Sequence, residues 1–371
     1  MPTRCQVLHD WIRHLHRLLP HVHATRTTTL AVMTLGILWS GKVTLLAVAA
    51  ALPLPARHTS SERRFRRLLA NPKVVVATLW PPLLTALLAG LEDGETSFVF
   101  DPTPYRDCAT VLCLGLVWHG RVLPVAWRVV PQQAAWPERL AGLVEAMLRE
   151  VSAALPPGVR PILLADRGLV GPGLIEATQR AGWHLVLRLR AGAGEATLVR
   201  IADGPEQRLA TLPTRPGQRW DGPIAIFKAA GWRHGYLTIH WAKGADEPWV
   251  LFSDRPGGIA RVREYRRRAT AEATYEDLKR RGFDLERSKL TALDRLDRLL
   301  LVLHLALWWG IGLGLQTIRT GLRPRFDRRD RRDLSLLRLG RTACLETLAH
   351  DRAPTLPFRF TPSGPIFRWL S

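Results

Sequence analysis

Two aspartates that follow apolar runs are the first residues of this sequence that could do chemistry. The run Phe98–Phe100 leads into Asp101, and the run Ile162–Ala165 leads into Asp166. Short apolar runs of this kind are typical of buried strands, and open α/β sheets bind ligands at the carboxyl ends of their strands. A single aspartate at a strand end is more often a turn former or a helix cap. Two such aspartates are stronger candidates for a shared functional site if their strands are neighbours in the sheet.

Two such carboxylates predict a particular chemistry. Carboxylates held side by side repel each other unless a cation lies between them. A pair of Mg²⁺ ions about 4 Å apart, held by such oxygens, activates a nucleophile and stabilises a leaving oxygen at phosphorus. A site of this kind normally has a third carboxylate, which the sequence must supply elsewhere.

The charged stretch "EYRRRATAEATYEDLK", residues 264–279, can supply the third carboxylate. On an ideal helix with 100° per residue, four of its side chains fall within roughly 60° of one face: Tyr265, Arg268, Glu272 and Lys279. That face would place a carboxylate beside a hydroxyl group and two cations suited to a phosphate backbone.

Other interpretations of the stretch stay open at this point. Glu264, Glu276 and Asp277 compete with Glu272 for the carboxylate role, and Glu276 shares its face one turn further on. An ordinary solvated helix with charge pairs at i,i+4 spacing would show the same composition.

The charge of the whole chain indicates the partner. Lys and Arg number 53 against 32 Asp and Glu, which gives a formal charge of +21 over 371 residues, most of it from arginine. A planar guanidinium matches phosphate geometry, and spread-out cations release counterions from a polyanion. Nucleic acid is therefore the favoured partner, and a basic protein kept soluble by its charge is the alternative.

Cysteine and hydropathy patterns bear on the compartment. The four cysteines form no CxxC pair and no zinc-type cluster with histidine, which favours a reducing compartment. Two apolar stretches, residues 30–53 and 299–318, are long enough to cross a bilayer but contain polar residues and glycines. We expect buried helices there and no membrane span.

Changes in hydrophobic periodicity and in Gly and Pro content along the chain predict its organisation. Residues 9–88 have helical spacing, and the basic helix with Arg63, Arg64, Arg66 and Arg67 is expected to begin at a Ser60 or Ser61 cap. The next segment predicts the order βββαβαβ, with a hairpin at His119-Gly120. Short alternating runs rich in Gly and Pro follow, and the strand "WVLFSD" precedes the charged stretch.

These motifs resemble a known family. Tyr265-x2-Arg268-x3-Glu272-x6-Lys279 has the spacing of the Y-R-E-K signature of DDE transposases of bacterial insertion sequences, the group that contains the cut-and-paste transposase of the kanamycin-resistance transposon. "FVFDPT" around Asp101 and "LLADRG" around Asp166 are similar to the first two aspartate motifs of that family. The resemblance covers roughly residues 30–315.

The resemblance implies an α/β fold with a ribonuclease-H-like catalytic domain, interrupted by a β-strand insertion and preceded by a helical DNA-binding domain. The expected bounds are a helical N-terminal DNA-binding domain at 1–92, the first part of the catalytic domain at 93–190, the insertion at 191–248, the second catalytic part at 249–320 and a basic C-terminal region at 321–371.

It also implies a role for each matching residue. Asp101, Asp166 and Glu272 would hold two Mg²⁺ ions, with Mn²⁺ as a substitute, and the spacing favours Glu272 over Glu276. Tyr265, Arg268 and Lys279 would contact DNA phosphates.

Three further residues are candidates for DNA contact. Trp249 resembles the tryptophan that stacks on a flipped base, although a core aromatic at a strand start is the alternative. Arg188 and Arg167 could face DNA or form structural ion pairs.

Ala271 and Tyr275 depart from the residues common in relatives, which predicts looser packing of the helix that carries Glu272.

The expected activity is DNA cleavage at transposon ends followed by strand transfer. The expected partners are double-stranded DNA, as terminal inverted repeats and as target, and a second protomer on that DNA, with no membrane and no small-molecule substrate. The expected location is the bacterial cytoplasm, at the nucleoid. A ribonuclease-H-like nuclease without strand transfer and an inactive DNA-binding relic are the alternatives.

Overall fold

A single ten-stranded sheet, mostly antiparallel, forms the centre of this mixed α/β protein. The computed structural model describes residues 3–132, 139–190, 197–202, 204–212, 215–328 and 330–350. The strand order is β3-β2-β1-β4-β5-β10-β9-β8-β6-β7. The strands are β1 (Gly94–Tyr105), β2 (Ala109–Trp118), β3 (Arg121–Pro131), β4 (Val159–Ala165), β5 (His184–Arg188), β6 (Leu198–Ile201), β7 (Glu206–Arg208), β8 (Arg219–Ile226), β9 (Arg233–His240) and β10 (Trp249–Ser253).

The turn between β2 and β3 has the predicted hairpin chemistry. Trp118 pairs with Arg121, so the loop consists of two residues. Both have positive φ, 45° at His119 and 73° at Gly120. Two consecutive residues of this kind match the twist of the flanking strands, and glycine adopts the conformation without strain. The hairpin prediction is confirmed.

The predicted order βββαβαβ is also confirmed. Helix α6 (Leu140–Ser152) lies between β3 and β4, and helix α7 (Pro172–Arg180) lies between β4 and β5. β1 pairs antiparallel with β2 and parallel with β4, which pairs parallel with β5. Parallel neighbours need a crossover connection, and the helix α7 provides it between β4 and β5.

The segment predicted as a β insertion continues the central sheet. β10 pairs antiparallel with both β5 and β9, and β8 and β6 follow beyond β9. The described strands between residues 197 and 240 therefore extend the sheet outward from β10. β10 is the strand at which the second catalytic part was expected to begin.

The N-terminal part consists of five helices: α1 (Thr3–Leu18), α2 (Ala24–Ser40), α3 (Leu45–Ala50), α4 (His58–Ala70) and α5 (Val76–Leu88). The basic helix is α4, where Arg63, Arg66 and Arg67 are exposed. The predicted serine cap is wrong, because α4 begins at His58 with Arg57 at the N-cap. Ser61 is buried inside the helix and packs against its neighbours.

Between residues 259 and 350, the described residues form five α-helices: α8 (Ile259–Arg266), α9 (Thr270–Glu276), α10 (Leu293–Arg319), α11 (Arg323–Phe326) and α12 (Leu336–Ala349). α10 packs against α2, α4, α5, α12 and β3. Among the described residues it is the one helix long and apolar enough to cross a bilayer, and 94% of its most apolar window is buried. It is the core helix that the sequence predicts.

Candidate active site

Asp101 and Asp166 lie at the same level of two neighbouring parallel strands. The β1–β4 register pairs Phe100 with Ala165, and each aspartate is the next residue of its chain. Asp166 follows the end of β4, as predicted. β1, however, continues to Tyr105 through its pairing with β2, so the prediction that Asp101 ends its strand is wrong. The register alone brings the two carboxylates side by side.

The charged stretch is a helix with two irregular turns, not the uniform helix expected. α8 ends at Arg266, a 3₁₀ turn spans Arg267–Ala269, and α9 is followed by a π-helical turn at Asp277–Arg281. Such turns rotate the side chains away from the ideal 100° spacing. The common helix face predicted for Tyr265, Arg268, Glu272 and Lys279 is therefore only partly retained.

Tyr265 and Arg268 nevertheless reach the aspartates. The Tyr265 hydroxyl donates to Oδ1 of Asp166 at 3.0 Å. Nη2 of Arg268 donates to Oδ1 of Asp101 at 3.3 Å and lies 3.5 Å from Oδ2 of Asp166. One guanidinium nitrogen thus serves both carboxylates. Two of the four signature positions are brought to the pair by direct contact.

Glu272 belongs to the same electrostatic cluster without direct contact to Arg268. It lies in the first turn of α9, with an exposed side chain. Its negative charge is one of the causes that raise the pKa of Asp101. Lys279 lies further on, half-buried in the π-helical turn.

Two of the competing carboxylates have structural partners instead. Glu264 is buried between Arg255, at 2.8 Å, and Arg261, at 3.1 Å. Asp277 is buried and accepts a hydrogen bond from the Ser335 hydroxyl at 2.7 Å. Glu276 is exposed on α9, one turn beyond Glu272. The choice left open by the sequence is thereby narrowed to Glu272 and Glu276.

The two aspartates have opposite pKa shifts. Burial raises the pKa of Asp101, and the charges of Asp166 and Glu272 raise it further against the opposing charge of Arg268. Burial also acts on Asp166, but the Arg167 amide, the Arg268 guanidinium and the Tyr265 hydroxyl together hold its pKa below the ordinary value. Neighbouring carboxylates whose pKa values are pushed apart are typical of functional sites.

The aspartate pair fits a hard divalent cation, because its oxygen donors already converge on one positive charge. Within the ranges that the structure describes, no three His, Cys, Asp or Glu side chains form a ready metal cluster. A complete set of three carboxylate ligands would require Glu272 to approach the pair.

Trp249 is connected to this site through Tyr265. It is the first residue of β10 and is half-buried. Its ring packs edge-on against the Tyr265 ring, with centroids 5.3 Å apart at an angle of 78°. The indole is therefore neither a fully buried core residue nor remote from the aspartates.

The helix that carries Glu272 is well seated. Ala271 is 1% exposed, and Tyr275 is also buried. The Thr274 hydroxyl accepts a hydrogen bond from the Val122 amide at 3.0 Å. The small alanine and the tyrosine both fit the core against β3, so the looser seat expected from the sequence is not observed.

Residues 128–309 match the family model of the transposase DDE domain, a span that contains Asp166 and Glu272 and begins after Asp101. The match supports a DDE-type transposase. No curated protein matches the chain significantly. Among solved structures, the chain is similar to the piggyBac transposase in its synaptic complex with hairpin DNA, with 10% identity, a TM-score of 0.43 and coverage of 98% of this chain and 81% of that chain.

One residue near the candidate site, Glu247, was not among the residues predicted from the sequence. Glu247 pairs with Arg167 at 2.9 Å and with Arg188 at 2.6 Å. Both arginines thus have the ion pair that was the alternative to DNA contact. Glu247 stands two residues before Trp249 in "DEPW", and no spacing rule connects it with arginines 59 and 80 residues away.

Proposed function

We propose that this protein is a DNA transposase that cleaves transposon ends and joins them to target DNA, with Asp101, Asp166 and Glu272 as its catalytic carboxylates. The observation that carries the proposal is the convergence of Asp101 and Asp166 on one cation, with the charge of Glu272 acting on Asp101. The transposase domain match and the charge of +21 support it.

Two divalent ions, Mg²⁺ or Mn²⁺, would supply activation of the nucleophile and stabilisation of the leaving oxygen when bound. Asp101 and Asp166 would hold them from adjacent strands, and Glu272 would complete the ligand set from α9. Rigid strands position such ligands precisely, which favours in-line attack on a phosphodiester.

The reaction consists of two displacements at phosphorus. In the first, a water oxygen attacks the phosphodiester at the transposon end, the P–O3′ bond breaks, and the 3′-hydroxyl is released. In the second, that 3′-hydroxyl attacks a phosphodiester of the target, and the target's own 3′ oxygen leaves. Around these steps, Tyr265 and Arg268 would donate to phosphate oxygens, and Lys279 would add charge further along the strand.

Other residues would hold the DNA without taking part in the displacement. Trp249 offers a partly exposed indole on which an extruded base could stack. Arg188 would contact phosphates after exchange of its Glu247 partner. The exposed arginines of α4 would contact the duplex backbone, and two protomers would pair the two ends.

A cleavage assay tests the proposal. The substrate is duplex DNA that carries the inverted repeats flanking the coding sequence, with Mg²⁺ and full-length protein. Asp101→Ala and Glu272→Ala are expected to lower the cleavage rate by about 100-fold or more, because each removes a proposed ligand of the metal ions that stabilise charge at the reacting phosphate. End binding in a gel-shift assay should be largely retained.

The matched control is Glu276→Ala, an exposed side chain one turn away on the same helix. Its cleavage rate should stay within about threefold of the wild type, because that side chain is not expected to contact the pair. Cleavage that survives in Glu272→Ala but is lost in Glu276→Ala would move the assignment to Glu276. If both variants retain cleavage, a three-carboxylate site is contradicted.

A second assay separates a transposase from a nuclease of the same fold. Pre-cleaved ends with a free 3′-hydroxyl are mixed with supercoiled target and Mg²⁺. A transposase gives joined products, whereas a nuclease only nicks the target. An inactive relic binds the ends in the gel shift and does neither.

A further inference from the structure

The contact between Arg268 and the aspartate pair has a consequence for metal binding. Nη2 of Arg268 lies 3.3 Å from Asp101 Oδ1 and 3.5 Å from Asp166 Oδ2, and the side chain is only 18% exposed. The guanidinium is therefore held between the two carboxylates and is not extended into solvent. It supplies the positive charge that keeps this pair stable.

A divalent cation needs the same oxygens. Mg²⁺ is bound at about 2.1 Å and demands near-octahedral geometry around it. With the guanidinium in its present place, the two positive charges would lie a few ångströms apart in a half-buried site. Like charges at that distance repel strongly where solvent screening is weak. The two cations therefore exclude each other at this pair.

The backbone around Arg268 allows a divalent metal ion to replace the guanidinium at the aspartate pair. Arg268 lies in the 3₁₀ turn between α8 and α9, and such turns inside helices are frequent hinge points. The elements on both sides are anchored by burial, α8 through the Val262 and Tyr265 side chains and α9 through Ala271 and Thr274. The guanidinium can leave while these anchors stay.

We propose that Arg268 is an exchangeable internal counter-ion of the Asp101–Asp166 pair, which a divalent metal ion must displace before the site is complete. This inference rests on the proposed function. The displaced guanidinium, on its flexible stem beside the site, is then free to pair with a DNA phosphate. Metal binding and DNA binding are thereby coupled through one side chain, and the coupling is reciprocal.

Metal affinity of the full-length protein without DNA tests the exchange. Isothermal titration with Mn²⁺ should show tighter binding to Arg268→Gln than to the wild type, because the competing cation is gone. A gain of about 5- to 150-fold is the range expected for coupled sites. Arg267→Gln is the matched control in the same turn. Arg267 donates to the Ser97 hydroxyl and not to the aspartates, so its Mn²⁺ affinity should stay within about twofold of the wild type.

Asp101→Asn separates failure of the exchange from failure of the proposed function. If Asp101→Asn binds Mn²⁺ as tightly as the wild type, the metal site itself is wrong, and the proposed function fails with it. If Asp101→Asn binds weakly but Arg268→Gln binds no tighter than the wild type, the exchange is overturned and the metal site stands.

A measurement on the wild type covers the case in which Arg268→Gln does not fold. Phenylglyoxal modifies accessible guanidinium groups, and peptide mass spectrometry gives the rate at each arginine. Modification of Arg268 should be faster with Mg²⁺ than with a chelator, while the rate at Arg267 should not change. An unchanged or slower rate at Arg268 would overturn the exchange.

Discussion

At the scale of single residues, neighbouring carboxylates of one short stretch have opposite surroundings. Glu264 is buried with two arginines, whereas Glu272, eight positions later, is exposed and acts on Asp101 through its charge. A buried carboxylate between guanidinium groups belongs to the framework of the fold, since removal of one partner leaves uncompensated charge. An exposed carboxylate near other carboxylates contributes little to stability and is available for a ligand.

This contrast gives a prediction for Glu264→Gln and Glu272→Gln. Glu264→Gln should lower the free energy of unfolding by about 3 kcal/mol, because Arg255 and Arg261 lose their shared counter-ion. Glu272→Gln should change it by less than about 0.5 kcal/mol. Urea unfolding at neutral pH measures both values.

In the cleavage assay, the variant with the larger loss should be Glu272→Gln, whereas in unfolding it is Glu264→Gln. Glu264→Gln should retain cleavage under conditions where it is folded, and Glu272→Gln should lose it. A stable but inactive Glu264→Gln would show that Glu264 takes part in the chemistry. A strongly destabilised Glu272→Gln would show that Glu272 belongs to the framework.

At the scale of secondary-structure elements, glycines set the distance between α10 and α12. A Cβ on Gly340 of α12 would overlap the carbonyl oxygen of Gly310 and the amide nitrogen of Gly314, both on α10. Backbone atoms cannot move aside without displacing a whole helix. The two helices therefore cross at a distance that only glycine allows.

Gly340→Ala is accordingly predicted to destabilise the protein by about 2 kcal/mol, a typical value for overpacking. Gly312→Ala is the matched control, because a Cβ there meets nothing within 4 Å and α10 gains helix propensity. It should stabilise by about 0.5–1 kcal/mol. Thermal unfolding followed by circular dichroism compares the two, and equal melting temperatures would contradict the close crossing.

The elements also show how far the sequence predicts the structure. The order βββαβαβ along the chain, the His119-Gly120 hairpin and the burial of α10 follow from local patterns, and all three are confirmed. The extension of β1 past Asp101 does not follow from local pattern, because "PTPY" contains two prolines. It depends on pairing with β2 on one side only.

The site is predictable to a similar degree. The sequence identifies the two aspartates and the two signature residues that contact them, Tyr265 and Arg268. It does not predict that a 3₁₀ turn lies at Arg268, because ideal helix geometry assumes an uninterrupted helix. Nor does it predict the Glu247 ion pairs, which depend on the course of the chain between β9 and β10.

At the scale of the whole molecule, the N-terminal helices and the central sheet share one hydrophobic core. The Trp80 indole on α5 donates to the Val125 carbonyl on β3 at 2.6 Å. The buried Arg298 guanidinium on α10 donates to the carbonyls of Leu69, at 2.7 Å, and Val74, at 2.9 Å. The helices proposed to bind DNA therefore also support the sheet that carries the candidate site.

A truncated chain that begins at residue 93 is thus predicted not to fold. It would expose the apolar surface that α10 buries against α2, α4 and α5, and it would leave the Arg298 guanidinium without its two carbonyl acceptors. Burial of such surface is the main favourable contribution to folding, and buried N–H groups that lose their acceptors are costly. The expected result is an aggregated protein without a cooperative thermal transition.

Co-expression of residues 1–92 as a separate chain is the control for this truncation. If the shared core is the reason for the failure, the two pieces should copurify and show one cooperative transition, since the same contacts form without the peptide bond between them. A chain from residue 93 that alone melts within a few degrees of the full-length protein would show instead that the sheet and α10 are stable without the N-terminal helices. The exposed arginines of α4 would then be the main contribution of that region, and their removal would affect DNA binding without affecting the fold.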